Sequence, residues 1–402
     1  MTDLTARTLQ DSELDDYFDV FRAAFLLDDE LRHFRNVLDA GRSHGVFDGD
    51  ELIGVASRLA PRLALPGGTS SPLAAVTAVG VRPGHRRRGV LTRLMRAQLH
   101  SLHEDGGAPV AALYASEGGI YGRFGYAVGT YETKLSVPGR TPFKSTVDID
   151  PRPVRELGRE AALEFVHRFY PTVERDHAGR LSRDDTAWEV RVAADRPGDA
   201  GEGKPRFAVH PDGYVIYRPE KGWTDRGPDF KLHVQELVAA TPRAYAALWR
   251  YLLDVDFAGE VRWDKAAIDE PVVHLLANPR TAGRRVVDGL WLRLVDLDRA
   301  LRARTYSAPL DTVLEVTDAF CPWNAGRWRL RVDDDGNAEV SRTEDAAALD
   351  VDITDLASVY LGGNTFAGLA RGGRLGDADP DALRRASRAF ATDVAPHCQE
   401  GF

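Results

Sequence analysis

Residues 76–92 constrain the fold more than any other part of the chain. An apolar β-branched run ends at Pro83-Gly84, three arginines and Gly89 follow, and apolar residues then recur at helical spacing through Leu102. This order predicts a strand, a basic turn and the start of a helix. Free N–H groups at a helix N-terminus favour anions, and arginines supply forked donors. The stretch therefore predicts a phosphate site, although three arginines alone also fit a solvated basic turn.

The sequence narrows the kind of phosphate ligand. It contains neither G-x-x-x-x-G-K-[ST] nor G-x-G-x-x-G, which argues against a nucleotide P-loop and a dinucleotide fold. Instead, Arg86-Arg87-Arg88-Gly89-Val90 follows a V-x-V strand. This arrangement is similar to the acetyl-CoA pyrophosphate loop of the GNAT superfamily of N-acetyltransferases.

A second motif, S-E-G-G-I-Y-G-R-F-G-Y at residues 116–126, follows an apolar run at 109–115 that predicts a buried strand. The spacing Tyr121-x-x-x-Gly125-Tyr126 resembles a GNAT pattern in which a tyrosine lies beside the acetyl-CoA thioester. Together with H-R-R-R-G, the motif resembles the Eis (enhanced intracellular survival) family, actinobacterial N-acetyltransferases that acetylate aminoglycosides at several amines. The resemblance implies that Tyr121 is the general acid. A phenol suits this role because it is neutral at pH 7 and can protonate a departing thiolate, whereas Tyr126 is expected to be a packing aromatic.

Bulk properties exclude several classes of protein. The length of 402 residues predicts two or three domains. The net charge of −9 argues against nucleic acid as a partner and favours a cationic one. Cys321 and Cys398 are the two cysteines, so no disulfide framework or C-x-x-C site is expected. The N-terminal sequence lacks a signal-peptide pattern and no apolar stretch approaches eighteen residues, which predicts a cytoplasmic protein without a membrane span.

Local patterns predict the elements and the domains. Two helical patterns lie within residues 11–38, and a D-G turn at 48–50 predicts a hairpin. Thr241-Pro242 predicts a helix start in a second α/β region that repeats the strand-turn-helix order, but its turn, A-A-T-P, has no arginine or glycine for a pyrophosphate. D-D-D-G-N at 333–337 predicts a hairpin in a third region.

These patterns predict an α/β (α+β) fold, and the resemblance to the Eis family implies tandem GNAT-like domains followed by a sterol-carrier-protein-like domain. The first, at residues 1–143, would be the acetyltransferase domain and hold acetyl-CoA. A Pro- and Gly-rich linker at 138–152 leads to the second, at residues 144–286, which would lack the cofactor loop. The third, at residues 287–402, resembles the sterol-carrier-like domain of Eis proteins.

The resemblance also implies that the α-carboxylate of Phe402 enters the active site as general base. Its reference pKa of roughly 3.3–3.7 would be raised by desolvation, and Gly401 makes the tail more flexible than a bulkier residue would. We therefore predict direct acetyl transfer without a covalent enzyme intermediate. Backbone groups of Val79, Gly80 and Val81 would bind the pantetheine, and Ser116 and Glu117 would contact the cofactor again. The pyrophosphate would be held by Arg87, Arg88, Gly89, Val90, Leu91 and Thr92.

The resemblance implies acetyl-CoA as co-substrate, no metal, a homohexamer, and as acceptor a primary amine of an aminoglycoside-like polyamine or a lysine side chain. His100, His103 and Glu104 share a helix, but without H-E-x-x-H a solvated helix face is the favoured interpretation. A G-x-S-x-G elbow is missing, which argues against a Ser/His/Asp hydrolase. The alternative from another class is a lipid- or protein-binding module with vestigial acetyltransferase activity.

Overall fold

A computed structural model describes residues 4–27, 35, 37–192, 194 and 201–402. The chain divides into two compact units that do not follow its linear order. The first unit combines the chain through Thr130 with Leu290–Pro396 and Phe402. The second unit consists of Tyr131–Gly289 and His397–Gly401.

The first unit contains an eight-stranded sheet in the order β1-β2-β3-β5-β6-β17-β7, with β4 beside β5. In chain order its strands are β1 Leu4–Thr8, β2 Ser43–Asp48, β3 Glu51–Leu59, β4 Arg62–Ala64, β5 Ser70–Val81, β6 Val110–Tyr114, β7 Ala127–Val128 and β17 Leu290–Leu294. β5 and β6 run parallel, and the other pairs in this sheet are antiparallel. Asp48 pairs with Glu51 across the D-G turn, where Gly49 has a φ of +62°. The predicted hairpin is confirmed.

Two of the helices that the structure describes pack against β1, β2, β3 and β5. Helix α1 spans Leu14–Phe25 and confirms the first of the two helical patterns between residues 11 and 38; most of the second pattern lies outside the described residues. Helix α2 spans Val90–Glu104 and buries one apolar face against the sheet. That face comprises Val90, Leu94, Met95, Leu99 and Leu102. The period of 3.6 residues aligns these side chains on one side. The sequence predicted this face with Leu91 in place of Val90, and Leu91 is half-buried.

A β-bulge interrupts β5 where it approaches α2. Thr77 pairs with Ser57 and Gly80 pairs with Val55, so two residues of β5 oppose one residue of β3. Ala78, inside the bulge, has a φ of +49°, and its carbonyl accepts a hydrogen bond of 3.1 Å from the Tyr17 hydroxyl. The bulge therefore turns the backbone of the outer half of β5.

The second unit contains a seven-stranded sheet in the order β16-β8-β15-β14-β11-β10-β9, and a separate two-stranded ribbon. The sheet strands are β8 Tyr131–Pro138, β9 Arg155–Leu157, β10 Arg206–His210, β11 Gly213–Glu220, β14 Phe230–Ala239, β15 Ala258–Ala267 and β16 Gly283–Asp288. The ribbon strands are β12 Trp223–Thr224 and β13 Gly227–Pro228. The helices are α3 Arg159–Val173, α4 Pro242–Asp254 and α5 Val272–Leu275, with a π-helical segment at Ala187–Val192.

Helix α4 begins where the sequence predicts. The Thr241 side chain accepts a hydrogen bond of 3.2 Å from the Ala244 N–H, and Pro242 occupies the first turn. An N-cap hydroxyl satisfies one of the N–H groups that the first turn leaves open. The helix then buries Leu248, Trp249 and their neighbours in the core of this unit.

The remainder of the first unit is a four-stranded sheet in the order β20-β19-β18-β21 with short helices. The strands are β18 Leu310–Thr317, β19 Gly326–Val332, β20 Ala338–Arg342 and β21 Leu349–Asp352. The helices are α6 Leu297–Ala303, α7 Ile353–Val359, α8 Phe366–Arg371 and α9 Pro380–Phe390. β19 and β20 pair across D-D-D-G-N, which confirms the predicted hairpin.

Two strands pair with sheets other than those that the predicted domains imply. β17, at the start of the predicted third domain, pairs with β6 and β7. β8, at the end of the predicted first domain, pairs with β15 and β16. The boundaries at 143/144 and 286/287 themselves stay predictions. None of the helices that the structure describes is long and apolar enough to cross a membrane.

Candidate active site

The basic turn lies at the start of α2. Gly89 is the N-cap residue with a φ of +82°, and Arg87 has a φ of +63°. The first backbone hydrogen bond of the helix is donated by the Arg93 N–H to the Gly89 carbonyl, at 3.1 Å. The N–H groups of residues 90–92 precede that bond and point out of the helix end. This is the backbone arrangement that binds a phosphate.

The arginines of this turn differ in their partners. Arg88 donates from Nη2 to Asp48 Oδ2 at 2.8 Å, and Arg86 faces Glu117 at 3.7 Å with both side chains exposed. Arg87 is exposed. The structure therefore brings Arg87, Arg88 and residues 89–92 into one turn, and it brings Glu117 close to the same turn.

The outer half of β5 leads directly into this turn. β5 pairs with β6 from Leu73 to Ala75, and among the described strands its residues beyond Ala75 pair with β3 alone. Gly80 and Val81 therefore have one ladder of hydrogen bonds instead of two, and Val79 lies in the bulge between the paired residues Thr77 and Gly80. A strand with an open side can pair with an extended ligand.

Tyr121 begins a short 3-10 turn, Tyr121–Phe124, that ends at Gly125 with a φ of +85°. Its side chain is buried, and burial raises its pKa, with a further contribution from the Glu117 charge. Its ring packs edge-on against Tyr126, with the centroids 6.0 Å apart. Tyr126 is itself buried in the core, as expected for a packing aromatic.

A buried ion pair that the sequence did not predict supports the Tyr121 turn. Arg293, on β17, donates from Nη2 to both carboxylate oxygens of Asp318, at 2.6 and 2.9 Å. Both side chains are almost fully buried. A Cβ atom on Gly125 would lie 2.4 Å from Arg293 Nη1, so only glycine leaves room for the guanidinium. No local pattern joins these residues, because the turn and the ion pair are far apart in the sequence.

The last residue belongs to the first unit. The Phe402 ring lies 5.4 Å from the ring of Tyr114, at an interplanar angle of 58°. Tyr114 ends β6, and Ser116 and Glu117 follow it as exposed residues. The structure thus places Phe402 beside the strand that leads to Tyr121.

The preceding tail residues are anchored in the second unit. The His397 Nε2–H donates to the Lys265 carbonyl at 2.7 Å, and the Gln399 side-chain amide pairs with the N–H and the carbonyl of Leu237 at 3.3 Å each. Burial lowers the pKa of His397 to about 3, so its imidazole is neutral. These contacts fix the tail on β14 and β15.

Glu400 continues this anchoring by an ion pair. Arg183 donates from Nε to Glu400 Oε2 at 2.8 Å and from its terminal nitrogens to Glu236 at 2.5 and 2.9 Å. All three side chains are at most 3% exposed. Burial opposes the guanidinium charge, yet the two carboxylates hold the pKa of Arg183 well above its usual range.

A cavity of about 290 Å³ lies beside this ion pair in the second unit. Gly401 contributes to its wall together with charged side chains of both signs. The acidic residues of the wall are Glu202, Glu236, Asp264 and Glu400. The cavity can therefore receive a charged polar ligand.

The helical histidines have partners that explain them structurally. His103 Nδ1 lies 2.5 Å from Asp296 Oδ1, and its ring stacks on Trp323 at 4.1 Å. His100 packs edge-on against the same Trp323 ring. Within the described ranges no three His, Cys, Asp or Glu side chains are grouped so that they could hold a metal ion.

Comparison with known proteins identifies the family. Family models described as acetyltransferase (GNAT) domains match residues 5–129 and 179–315, and a sterol carrier protein domain matches residues 297–399. These matches confirm the predicted fold class. The N-acetyltransferase Eis of Mycobacterium tuberculosis is 37% identical over 364 residues, which cover 87% of this chain and 86% of the relative.

Two further relatives agree. An uncharacterized N-acetyltransferase of Streptomyces avermitilis is 37% identical over 381 residues, covering 93% of this chain and 92% of the relative. The crystal structure of Eis1 from Mycobacterium abscessus is 36% identical, with a TM-score of 0.87 and all of both chains covered. The chain therefore belongs to the Eis family of GNAT proteins, and it is an N-acetyltransferase.

Proposed function

We propose that this N-acetyltransferase takes its acetyl group from acetyl-CoA and transfers it directly to a primary amine of an aminoglycoside-like polyamine or a lysine side chain. The observation that carries the proposal is the continuity of residues 79–92. The end of β5 beyond its bulge has one open side, and the basic turn connects it directly to the N-terminus of α2. This arrangement fits a ligand with an extended amide-bearing arm and a pyrophosphate.

The proposed cofactor contacts follow from this geometry. Backbone groups of Val79, Gly80 and Val81 would pair with the pantetheine amides along the open side of β5. The N–H groups of Val90, Leu91 and Thr92 would bind pyrophosphate oxygens, and Arg87 and Arg88 would neutralise their charge. Arg88 would then exchange or share its contact with Asp48. Ser116 and Glu117, which follow β6, would contact the cofactor from the side opposite β5.

The proposed chemistry assigns one proton transfer to each of two groups. The Phe402 α-carboxylate takes a proton from the acceptor ammonium, directly or through water. The amine nitrogen then attacks the thioester carbonyl carbon and the C–N bond forms. The nitrogen loses its second proton to water, and the C–S bond breaks with its electron pair leaving on sulfur. Tyr121 donates its phenolic proton to that thiolate. Solvent returns a proton to Tyr121 after the reaction. The raised pKa of Tyr121 keeps the phenol protonated until sulfur leaves.

The cationic class of acceptor is supported by charge. The chain carries a net charge of −9, which draws cations by long-range attraction. In the cavity beside the tail, Arg183 is engaged by Glu236 and Glu400, and Arg262 pairs with Glu260 at 2.6 Å. Asp264 also lines that cavity and would bind an ammonium group of a polyamine.

The test is CoA release from acetyl-CoA with aminoglycosides and with lysine peptides, using a chain with an untagged C-terminus. We expect turnover with at least one class of amine. Deletion of Phe402 should abolish it, and adding one glycine after Phe402 should do so too, because the ring is kept while the carboxylate moves. Phe402→Ala, which keeps a carboxylate at position 402, should retain part of the activity. Full activity of the glycine-extended chain would refute the carboxylate base.

Two further proposals rest on family resemblance. We infer a homohexamer, for which light scattering of the purified protein is the measurement. We also infer a cytoplasmic location, to be tested by fractionation of cells that produce the protein. A monomer would remove the hexamer from the proposal without affecting the chemistry.

A further inference from the structure

The ion pair between Arg183 and Glu400 belongs to a larger buried cluster. The Arg183 guanidinium lies over the Tyr170 ring at 3.9 Å and over the Trp188 ring at 4.5 Å. The Tyr214 hydroxyl donates to Glu236 Oε2 at 2.7 Å. The core side of the cluster is therefore fixed by two aromatic rings and a phenol, and Glu400 is the member that the tail contributes.

Stability alone gives little reason for such a cluster. Burying three charges has a desolvation cost that mutual attraction roughly offsets, and apolar residues of similar volume often serve as well or better. The two carboxylates are also far from Arg183 in sequence, by 53 and 217 residues. The specific effect of the cluster is to fix one tail residue at one place.

The length of chain between Glu400 and Phe402 determines how closely the anchored Glu400 restrains the terminal residue. One residue, Gly401, separates Glu400 from Phe402, so the terminal Cα stays within roughly 7.6 Å of the Glu400 Cα. If Glu400 is released, Gln399 becomes the nearest anchor and that radius grows to roughly 11.4 Å. Gly401 offers little conformational restraint of its own. The position of Glu400 therefore limits the distance over which the Phe402 α-carboxylate can move.

We propose that Arg183 and Glu236 are positioning residues, which hold Glu400 so that the carboxylate of Phe402 stays where it can take a proton from the acceptor amine. The proposal rests on the proposed base role of Phe402. We call Arg183, Glu236 and Glu400 together the clamp, and the proposal gives these three side chains a positioning role in the reaction. None of the three touches the reacting atoms, so each acts through the tail.

The first test is a measurement that does not depend on acetyl transfer. Carboxypeptidase is added to the native full-length chain, and the release of Phe402 is followed by intact mass. We expect release to be about tenfold faster in Glu400→Gln, because the tail opens more often. Arg183→Met combined with Glu236→Met, which removes both core charges together, should have the same effect. Arg206→Met breaks an exposed ion pair with Glu156 in the same sheet and should leave release unchanged.

The second test is kinetic. Loss of positioning by about 1 Å reduces the rate by about a hundredfold, so we expect kcat of Glu400→Gln to fall by about tenfold to a hundredfold, with the Kd for acetyl-CoA unchanged. A general loss of structure would instead lower the melting temperature and weaken acetyl-CoA binding too. If the double variant melts early, Glu400→Gln decides the question.

Wild-type release rates in both clamp variants would overturn the proposal. Faster release with an unchanged kcat would also overturn it, because the tail would then be held for another purpose. A wild-type chain that binds acetyl-CoA without turnover would refute the proposed function, while the release rates would still decide whether the clamp holds the tail.

Discussion

The rings of Tyr114 and Phe402 are in contact, with their centroids 5.4 Å apart. One belongs to the last residue of β6 and the other to the last residue of the chain. This contact joins the end of the polypeptide to the strand that precedes the Tyr121 turn. The ring of Phe402 thus anchors this residue on β6.

We predict that Tyr114→Ala weakens this anchor. An aromatic pair contributes about 0.5–1.5 kcal/mol beyond its buried area, so kcat should fall severalfold while acetyl-CoA still binds. Tyr114→Phe keeps the ring and should remain close to wild type. Steady-state kinetics of both variants check the prediction, which is wrong if the two behave alike.

Tyr121→Phe removes the proposed proton donor and keeps the ring. We expect kcat to fall by about 10²–10⁴, with an unchanged Kd for acetyl-CoA measured by calorimetry. Tyr126→Phe is the matched control, because the Tyr126 hydroxyl is buried without a hydrogen-bond partner among the described residues and its ring remains. Wild-type kcat in Tyr121→Phe would exclude the general-acid role.

Gly89→Ala tests the basic turn. Gly89 has a φ of +82° with open space around it, so the cost of alanine comes from the backbone, about 1–2 kcal/mol. We expect acetyl-CoA binding about tenfold weaker by calorimetry. Gly84→Ala, also in open space but without a positive φ, should bind as the wild type does. Equal affinity in the two variants would show that the turn does not hold the cofactor.

Gly125→Ala combines backbone strain with a collision. The φ is +85° and the new Cβ would lie 2.4 Å from Arg293 Nη1, so either the Tyr121 turn or the Arg293–Asp318 pair must move. We expect lower kcat and a lower melting temperature. Gly122→Ala lies in the same turn with nothing within 4 Å and should change neither. Thermal melting and kinetics of the pair are the measurements.

Glu270 makes stability depend on pH. Burial raises its pKa to about 7, although the Tyr245 hydroxyl and the Ala267 N–H favour the charged form. The unfolded chain titrates near pH 4.3, so the folded state binds the extra proton between these values. The contribution of Glu270 to the free energy of unfolding is complete below about pH 4.3 and is lost as the pH rises through 7.

We therefore expect Glu270 to lower the free energy of unfolding of the wild type by about 3 kcal/mol between pH 4.5 and 8. Glu270→Gln should not show this decrease. Urea unfolding at several pH values measures it. Glu164→Gln, at an exposed position in the same unit, controls for the loss of one carboxylate. Parallel pH curves for the Glu270 variant and the wild type would contradict the prediction.

Local chemistry made much of this fold predictable. The D-G turn, the Thr241-Pro242 cap and the Gly89 start of α2 each depend on a few neighbouring residues, and all three lie where the sequence places them. The bulge at Ala78 was not predicted, because a positive φ at alanine has no sequence signal. It is maintained by tertiary contacts such as the Tyr17 hydrogen bond.

Long-range pairing was the part that the sequence could not supply. The strand character of residues 290–294 is evident, but nothing in their composition indicates that their partner is β6. Arg183, Glu236 and Glu400 are ordinary surface residue types, and only the folded chain shows that they meet in a buried cluster. The predicted catalytic and cofactor-binding residues likewise stay predictions until ligands and variants are measured.

The position of β17 has a consequence for synthesis on the ribosome. β6 and β7 are not neighbours in the sheet, because β17 lies between them and is made some 160 residues after β7 begins. Until then the emerging chain exposes an apolar edge at Val110–Leu113, a surface prone to intermolecular pairing. A truncated product that ends near residue 130 should therefore aggregate, and the acetyltransferase fold should form only late in translation.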